Sequence, residues 1–123
     1  MKLNERFDWS KPTTQMLGRF QPWHDGHTAL FEKALEKTGQ VVIMLRMTLV
    51  DSENPYTVEE RVMQVVEKLA ERGHTTEVFT IITVPNIVHI TYGRNVGYKI
   101  EKEELGAELE SISATKIREE LNG

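Results

Sequence analysis

The stretch GRFQPWHDGH (residues 18–27) stands where a short apolar run gives way to a helix-forming one, and its reading decides the fold. Upstream, QMLGRF (15–20) has the make-up of a short strand ending in a turn. Downstream, HTALFEKALEKTGQ (27–40) places Leu30, Phe31, Ala34 and Leu35 on one helical face, with Gly39 as the stop. A parallel sheet binds its ligands at the carboxyl ends of its strands, and residues 18–27 occupy such an end. Gly18 lets a phosphate approach the backbone, and the helix N-terminus adds amides and partial positive charge. His24 and His27 lie one turn apart at the helix entrance, and Gly26 between them carries no side chain to block access. Protonated or hydrogen-bond-donating imidazoles there stabilise charge that builds on a phosphate under attack.

Working outward, the element types alternate. VVIMLRM (41–47) is a continuous apolar run, as expected of a strand covered on both faces. DSENPYT (51–57) breaks the chain. Thr57 and Glu60 then form a capping-box pattern ahead of an inward face of Val58, Val62, Val65, Val66 and Leu69, with a stop near Gly73. EVFTIITV (77–84) is a third strand. The order β-α-β-α-β predicts an α/β fold with a parallel sheet and right-handed crossovers. NIVHITYG (86–93) is expected as a fourth short strand, GYKIEKEEL (97–105) as one more, and SATKIREEL (113–121) as a final helix with Ile117 and Leu121 inward. Only Pro85 and Asn86 separate the third strand from the fourth, whereas a parallel crossover takes a dozen or more residues. Either the third strand bends into an irregular segment, or a layer of the sheet is absent; in both cases the second half is expected to be shortened.

Bulk properties narrow the function. With 123 residues the chain suits one domain, expected over 1–123 with residues 1–13 as an N-terminal extension. Hydrophobic residues at 39% and charged residues at 28% are globular values. The polar start, MKLNERFDWSKPTTQ, predicts no signal peptide, no run suits a membrane span, and a cytoplasmic location is expected. Zero cysteines remove disulfides, thiol catalysis and thiolate-bound zinc. A net charge of −4 argues against a nucleic-acid partner, which needs a basic stripe. Any anion must be held locally. A shortened sheet leaves an edge or apolar surface uncovered, so a homo-oligomer, most simply a dimer, is expected.

Plainer readings stand beside these. The histidine pair is half of a zinc site only if other imidazoles join it, and His74 and His89 sit on unrelated segments. Trp23 suits packing beneath the loop as well as base stacking. Residues 113–118 read equally as an ordinary capped helix. Arg61 reads as a solvated helix residue or a ligand, and Arg46 stands at a strand end. YGRNVGY (92–98) reads as a turn. No core role is expected for His27.

GRFQPWHDGH resembles the HxGH signature of the nucleotidylyltransferase superfamily, and ISATKIR (112–118) resembles its ISxTxxR element. ENPYTVEER (53–61) is similar to the segment after the second strand in archaeal-type nicotinamide mononucleotide adenylyltransferases. The resemblance implies a small Rossmann-like, doubly wound parallel sheet and transfer of a nucleoside monophosphate, AMP favoured, from a nucleoside triphosphate to a small phosphate- or phosphonate-bearing acceptor. Pyrophosphate is released, and Mg2+ accompanies the triphosphate without direct protein ligands. It implies His24, His27 and Arg118 as catalytic, with Gly18, Arg19 and Phe20 along the α-phosphate and Gly26 beside them. Ser113 and Thr115 would hold the β- and γ-phosphates, with Arg61 and Arg46 adding charge. Tyr92, Arg94 and Tyr98 would meet the acceptor. The small size and missing helix resemble the cytidylyltransferase branch, which uses CTP, and a nucleotide-binding module without turnover keeps the same phosphate site.

Overall fold

The computed structural model describes residues 7–94, 97 and 99–103. Strand β1 (Thr14–Gly18), helix α1 (Asp25–Thr38), strand β2 (Val41–Arg46), helix α2 (Val58–Glu71) and strand β3 (Phe79–Val84) follow one another in the expected order. The three strands form one parallel sheet in the order β1-β2-β3. Thr14 pairs with Val41 and Val41 with Phe79, while Gly18 pairs with Leu45. That is the first half of a Rossmann-like sheet, in which strand ends β1 and β2 stand side by side.

Alternation along the strands decides which face is covered. Met16, Val41, Ile43, Leu45 and Phe79 point to one side and are buried with Phe31 and Ala34 of α1 and Val65 and Leu69 of α2. Burial of each large apolar side chain contributes roughly 1.5–3 kcal/mol. The other face, with Leu17, Val42, Met44 and Ile82, is only half-buried. The apolar run of β2 therefore does not mark a strand sealed on both sides. Val66, expected inward, is exposed, whereas Arg61 on the same helix is fully buried.

Local chemistry fixes the helix ends. Gly39 closes α1 in the left-handed region at φ 83°, which glycine enters without a Cβ penalty. Thr57 and Glu60 exchange side-chain and backbone bonds as the expected capping box at the start of α2. Beyond β3, the expected fourth strand is not found: residues 85–94 contain no strand or helix. Pro85 has no N–H to continue a ladder, and the Ile87 amide turns back to the Pro85 carbonyl at 2.7 Å. Val88 and Ile90 are left exposed. Gly97 and residues 99–103 are likewise outside any strand, while Tyr98 and the expected helix over 113–121 lie outside the described residues.

Residues 7–13 are tied to the domain by one buried side chain. Gln40 Nε2 donates to the Asp8 carbonyl and Thr13 Oγ1, both at 2.7 Å, and its Oε1 accepts from the Asp8 amide. Phe7 is buried beside them. Gln40→Ala is expected to cost about 1–3 kcal/mol, the range for stranded buried polar groups, in urea unfolding, and to speed hydrogen exchange at the Asp8 amide. An unchanged midpoint and exchange rate would show that Gln40 does not anchor this segment.

Candidate active site

The site begins where β1 stops. Gly18 has no room for a side chain, because a Cβ there would lie 2.9 Å from the ring of Phe20. The glycine thus seats that ring. Phe20 itself lies at φ 50°, in the left-handed region that a non-glycine residue enters only when its surroundings hold it there. The Gln21–Pro22 peptide bond is cis.

Those surroundings are aromatic and amide. Trp23 lies 5.0 Å from Phe20 and 5.3 Å from His27 between ring centroids, and donates from Nε1 to Thr28 Oγ1 at 2.8 Å. At 2% exposure it is packing and offers no face to a base. The buried Gln21 donates from Nε2 to Thr48 Oγ1 and the Tyr56 carbonyl, while its Oε1 accepts from the Tyr56 amide. Arg19 Nη1 donates to Asn54 Oδ1 at 3.0 Å. The loop after β2 is thereby bound to the loop after β1. None of Gln21, Thr28, Asn54 and Tyr56 stood out in the sequence as a site residue. The QP pair inside the signature was the available signal for Gln21.

His24 and His27 cap α1 reciprocally. The Gly26 amide donates to His24 Nδ1 at 3.0 Å, and the His24 amide donates to His27 Nδ1 at 3.1 Å. A backbone amide can only donate, so both Nδ1 atoms are unprotonated and each neutral ring carries its proton on Nε2. The rings stack with centroids 3.8 Å apart. Burial pushes the His27 imidazole down to about 3, and its neighbour His24 adds to the shift. Burial also lowers His24, against the opposing charge of Asp25. Of the two expected states, protonated or hydrogen-bond-donating, the geometry selects the second. His27 also packs edge-on to Phe20 at 4.9 Å, so it has a structural share that the sequence did not predict.

Arg61 departs furthest from expectation. It is fully buried, so it is neither a solvated helix residue nor a surface ligand. Its Nη1 donates to the Arg19 carbonyl at 2.9 Å and the Arg46 carbonyl at 2.8 Å, clamping the ends of β1 and β2 together. Arg46 turns its own Nη1 to the Ile87 carbonyl at 3.3 Å. The structure therefore brings together Gly18, Arg19, Phe20, His24, Gly26, His27 and the Arg61–Arg46 clamp. Tyr92 and Arg94 are exposed, and no hydrogen bond or ion pair among the described residues joins them to the histidine loop. Tyr98, Ser113, Thr115 and Arg118 lie outside the described residues. Among the described residues no cluster of three His, Cys, Asp or Glu could hold a metal, and no helix is long and apolar enough to cross a membrane.

A strand exit, a helix N-terminus and donor imidazoles meet at one end of a Rossmann-like sheet, and residues 16–84 match the cytidylyltransferase-like family. The chain belongs to that family. It is similar to the nicotinamide-nucleotide adenylyltransferase of Ignicoccus hospitalis, 36% identical over 73 residues, which are 58% of this chain and 43% of that protein. The enzyme of the same name from Thermococcus sibiricus is 32% identical over 58% of this chain and 39% of its own length. In structure the chain resembles a bifunctional NMN adenylyltransferase/ADP ribose pyrophosphatase from Francisella tularensis complexed with AMP and a manganese ion, with TM-score 0.58 and 25% identity. That match covers 61% of this chain and 23% of the other. The chain spans less than half the length of these relatives.

The histidine shifts set a pH dependence. Between about pH 6.5, where an unfolded histidine titrates, and about 3, where His27 titrates in the fold, the unfolded chain binds a proton that the native state refuses. Stability from this source is full above that window and is lost as pH falls through it. Thermal unfolding of ligand-free wild type is expected to lose ground to His27→Gln as pH is lowered from 7 to 4. Parallel curves for the two proteins would contradict the half-buried neutral ring.

Proposed function

We propose that this domain is a nucleotidyltransferase that moves AMP from ATP to a small phosphate-bearing acceptor and releases pyrophosphate. The single observation that carries the reading is the pair of neutral, Nε2-protonated imidazoles fixed at a helix N-terminus beside a strand exit. The names of the relatives favour adenylyl transfer over the CTP alternative and a nicotinamide mononucleotide-like acceptor.

In this reaction an acceptor phosphate oxygen attacks the α-phosphorus, the bond from that phosphorus to the α–β bridging oxygen breaks, and the bridging oxygen leaves with pyrophosphate. No protein atom is attached covalently, so positioning and charge stabilisation supply the catalysis. His24 and His27 donate from Nε2 to phosphate oxygens on which charge grows. The Phe20 amide makes no hydrogen bond among the described residues, and it is assigned to the α-phosphate. Gly18 and Arg19 set the position of that amide, and Gly26 orients His24. Mg2+ is assigned to the triphosphate. Ser113, Thr115 and Arg118 are assigned to the β- and γ-phosphates, and Tyr92, Arg94 and Tyr98 to the acceptor. The half-buried face of Leu17, Met44 and Ile82 supports a homodimer, which sedimentation showing a monomer at near-millimolar concentration would exclude.

The test is single-turnover pyrophosphate release with ATP, Mg2+ and nicotinamide mononucleotide, set beside calorimetric ATP affinity. His27→Gln retains an acceptor for the His24 amide, as glutamine does in a capping box. It is expected to fold and to lower the rate roughly 10²-fold, the loss typical of one preorganised donor, with ATP affinity changed much less. His27→Ala also removes the cap and the packing on Phe20, and should unfold at a lower temperature. Tight ATP binding without pyrophosphate release in the presence of any anionic acceptor would replace the enzyme with a nucleotide-binding module. An unaltered rate in His27→Gln would remove the catalytic assignment.

A further inference from the structure

Arg61 is a guanidinium with no visible exposure and no carboxylate partner among the described residues. Burial disfavours its charge. One nitrogen, Nη1, is satisfied by the two strand-end carbonyls, whereas Nε and Nη2 are buried without a partner among the described residues. Unpaired buried charge is costly and is kept where something else depends on it.

The bond to Arg19 shows what depends on it. A trans peptide is planar and directs its C=O and N–H in opposite directions. Pulling the Arg19 carbonyl toward Arg61 therefore turns the N–H of the same peptide, which belongs to Phe20, away from the guanidinium. That amide is the unpartnered one at φ 50° beside the histidines. The clamp on the Arg46 carbonyl fixes the neighbouring strand end in the same way.

We propose that Arg61 is a positioning residue for anion binding: its buried guanidinium aims the Phe20 amide through the Arg19 carbonyl and takes its missing counter-charge from a phosphate group seated at the end of β1. The proposal rests on the phosphate-site reading above and adds a residue that need not touch the ligand. A simple brace between two strands would serve as well without charge, so charge is the distinguishing property.

The experiment is calorimetric titration of the full chain with inorganic pyrophosphate, for wild type, Arg61→Lys, Arg61→Gln and the exposed Arg72→Gln as a control for net charge. Arg61→Lys is expected to stay within about threefold of wild type. Arg61→Gln, which keeps a donor but loses the charge, is expected to bind about tenfold or more weakly, as expected for one poorly screened charge. Arg72→Gln should be unchanged. Equal affinity for Arg61→Gln and wild type overturns the proposal and leaves Arg61 a brace, whatever the unfolding temperatures. If Arg61→Gln does not fold, the Arg61 Nε–H resonance of wild type decides: it is expected to shift on saturation with pyrophosphate, and an unmoved resonance overturns the proposal. Wild type that binds no pyrophosphate overturns the phosphate site itself, a result distinct from the variants' failure.

Discussion

The reciprocal cap between His24 and His27 is the constraint on which the other features of the site hang. A helix start leaves amides without partners, and most caps use a short hydroxyl or carboxyl side chain for the first of them. Here imidazole nitrogens take that place. Because each Nδ1 accepts an amide hydrogen, the tautomer of both rings follows from backbone geometry alone. The same two bonds stack the rings at 3.8 Å and hold His27 against Phe20 and Trp23. The aromatic packing then keeps water off His27, and loss of water keeps it neutral. Fold, protonation state and donor supply come from one turn of chain.

At a net charge of −4, any binding of a polyanion requires local attraction. The described site can offer it without charging its histidines. Neutral Nε2–H groups, the start of α1, the Phe20 amide and the buried Arg61 each present partial or full positive charge in a region of little water, where such donors act strongly. Preorganised neutral donors also suit a reaction in which charge moves from the α-phosphorus toward pyrophosphate, since nothing must gain or lose a proton.

Much of this architecture is readable in the chain itself. Periodicity and caps locate β1, α1, β2, α2 and β3 because Gly39, Thr57 and Glu60 act within a few residues of where they stand. The histidine motif is legible because its residues are neighbours in sequence. What the pattern does not show depends on distant contacts. Arg61 reads as solvated until α2 is laid over the strand ends, where the Arg19 and Arg46 carbonyls claim it. Gln21 reads as part of a turn until Tyr56 arrives from another loop. Trp23 is undecided until Thr28 takes its indole N–H. The apparent strand over 86–93 fails for a local reason, since Pro85 ends the ladder and the Ile87 amide turns back on it. Its apolar spacing carried no information about that turn.

The account turns on two Nε2–H donors meeting a phosphate. The direct measurement is a long-range ¹H–¹⁵N correlation spectrum of the histidine rings at neutral pH, recorded while Mg2+–ATP is added. The nitrogens of His24 and His27 should show the Nε2–H tautomer before and after addition, with both Nε2 resonances moving toward stronger hydrogen bonding as the site fills. Rings protonated on Nδ1, or Nε2 resonances that stay still at saturating ATP, would contradict it.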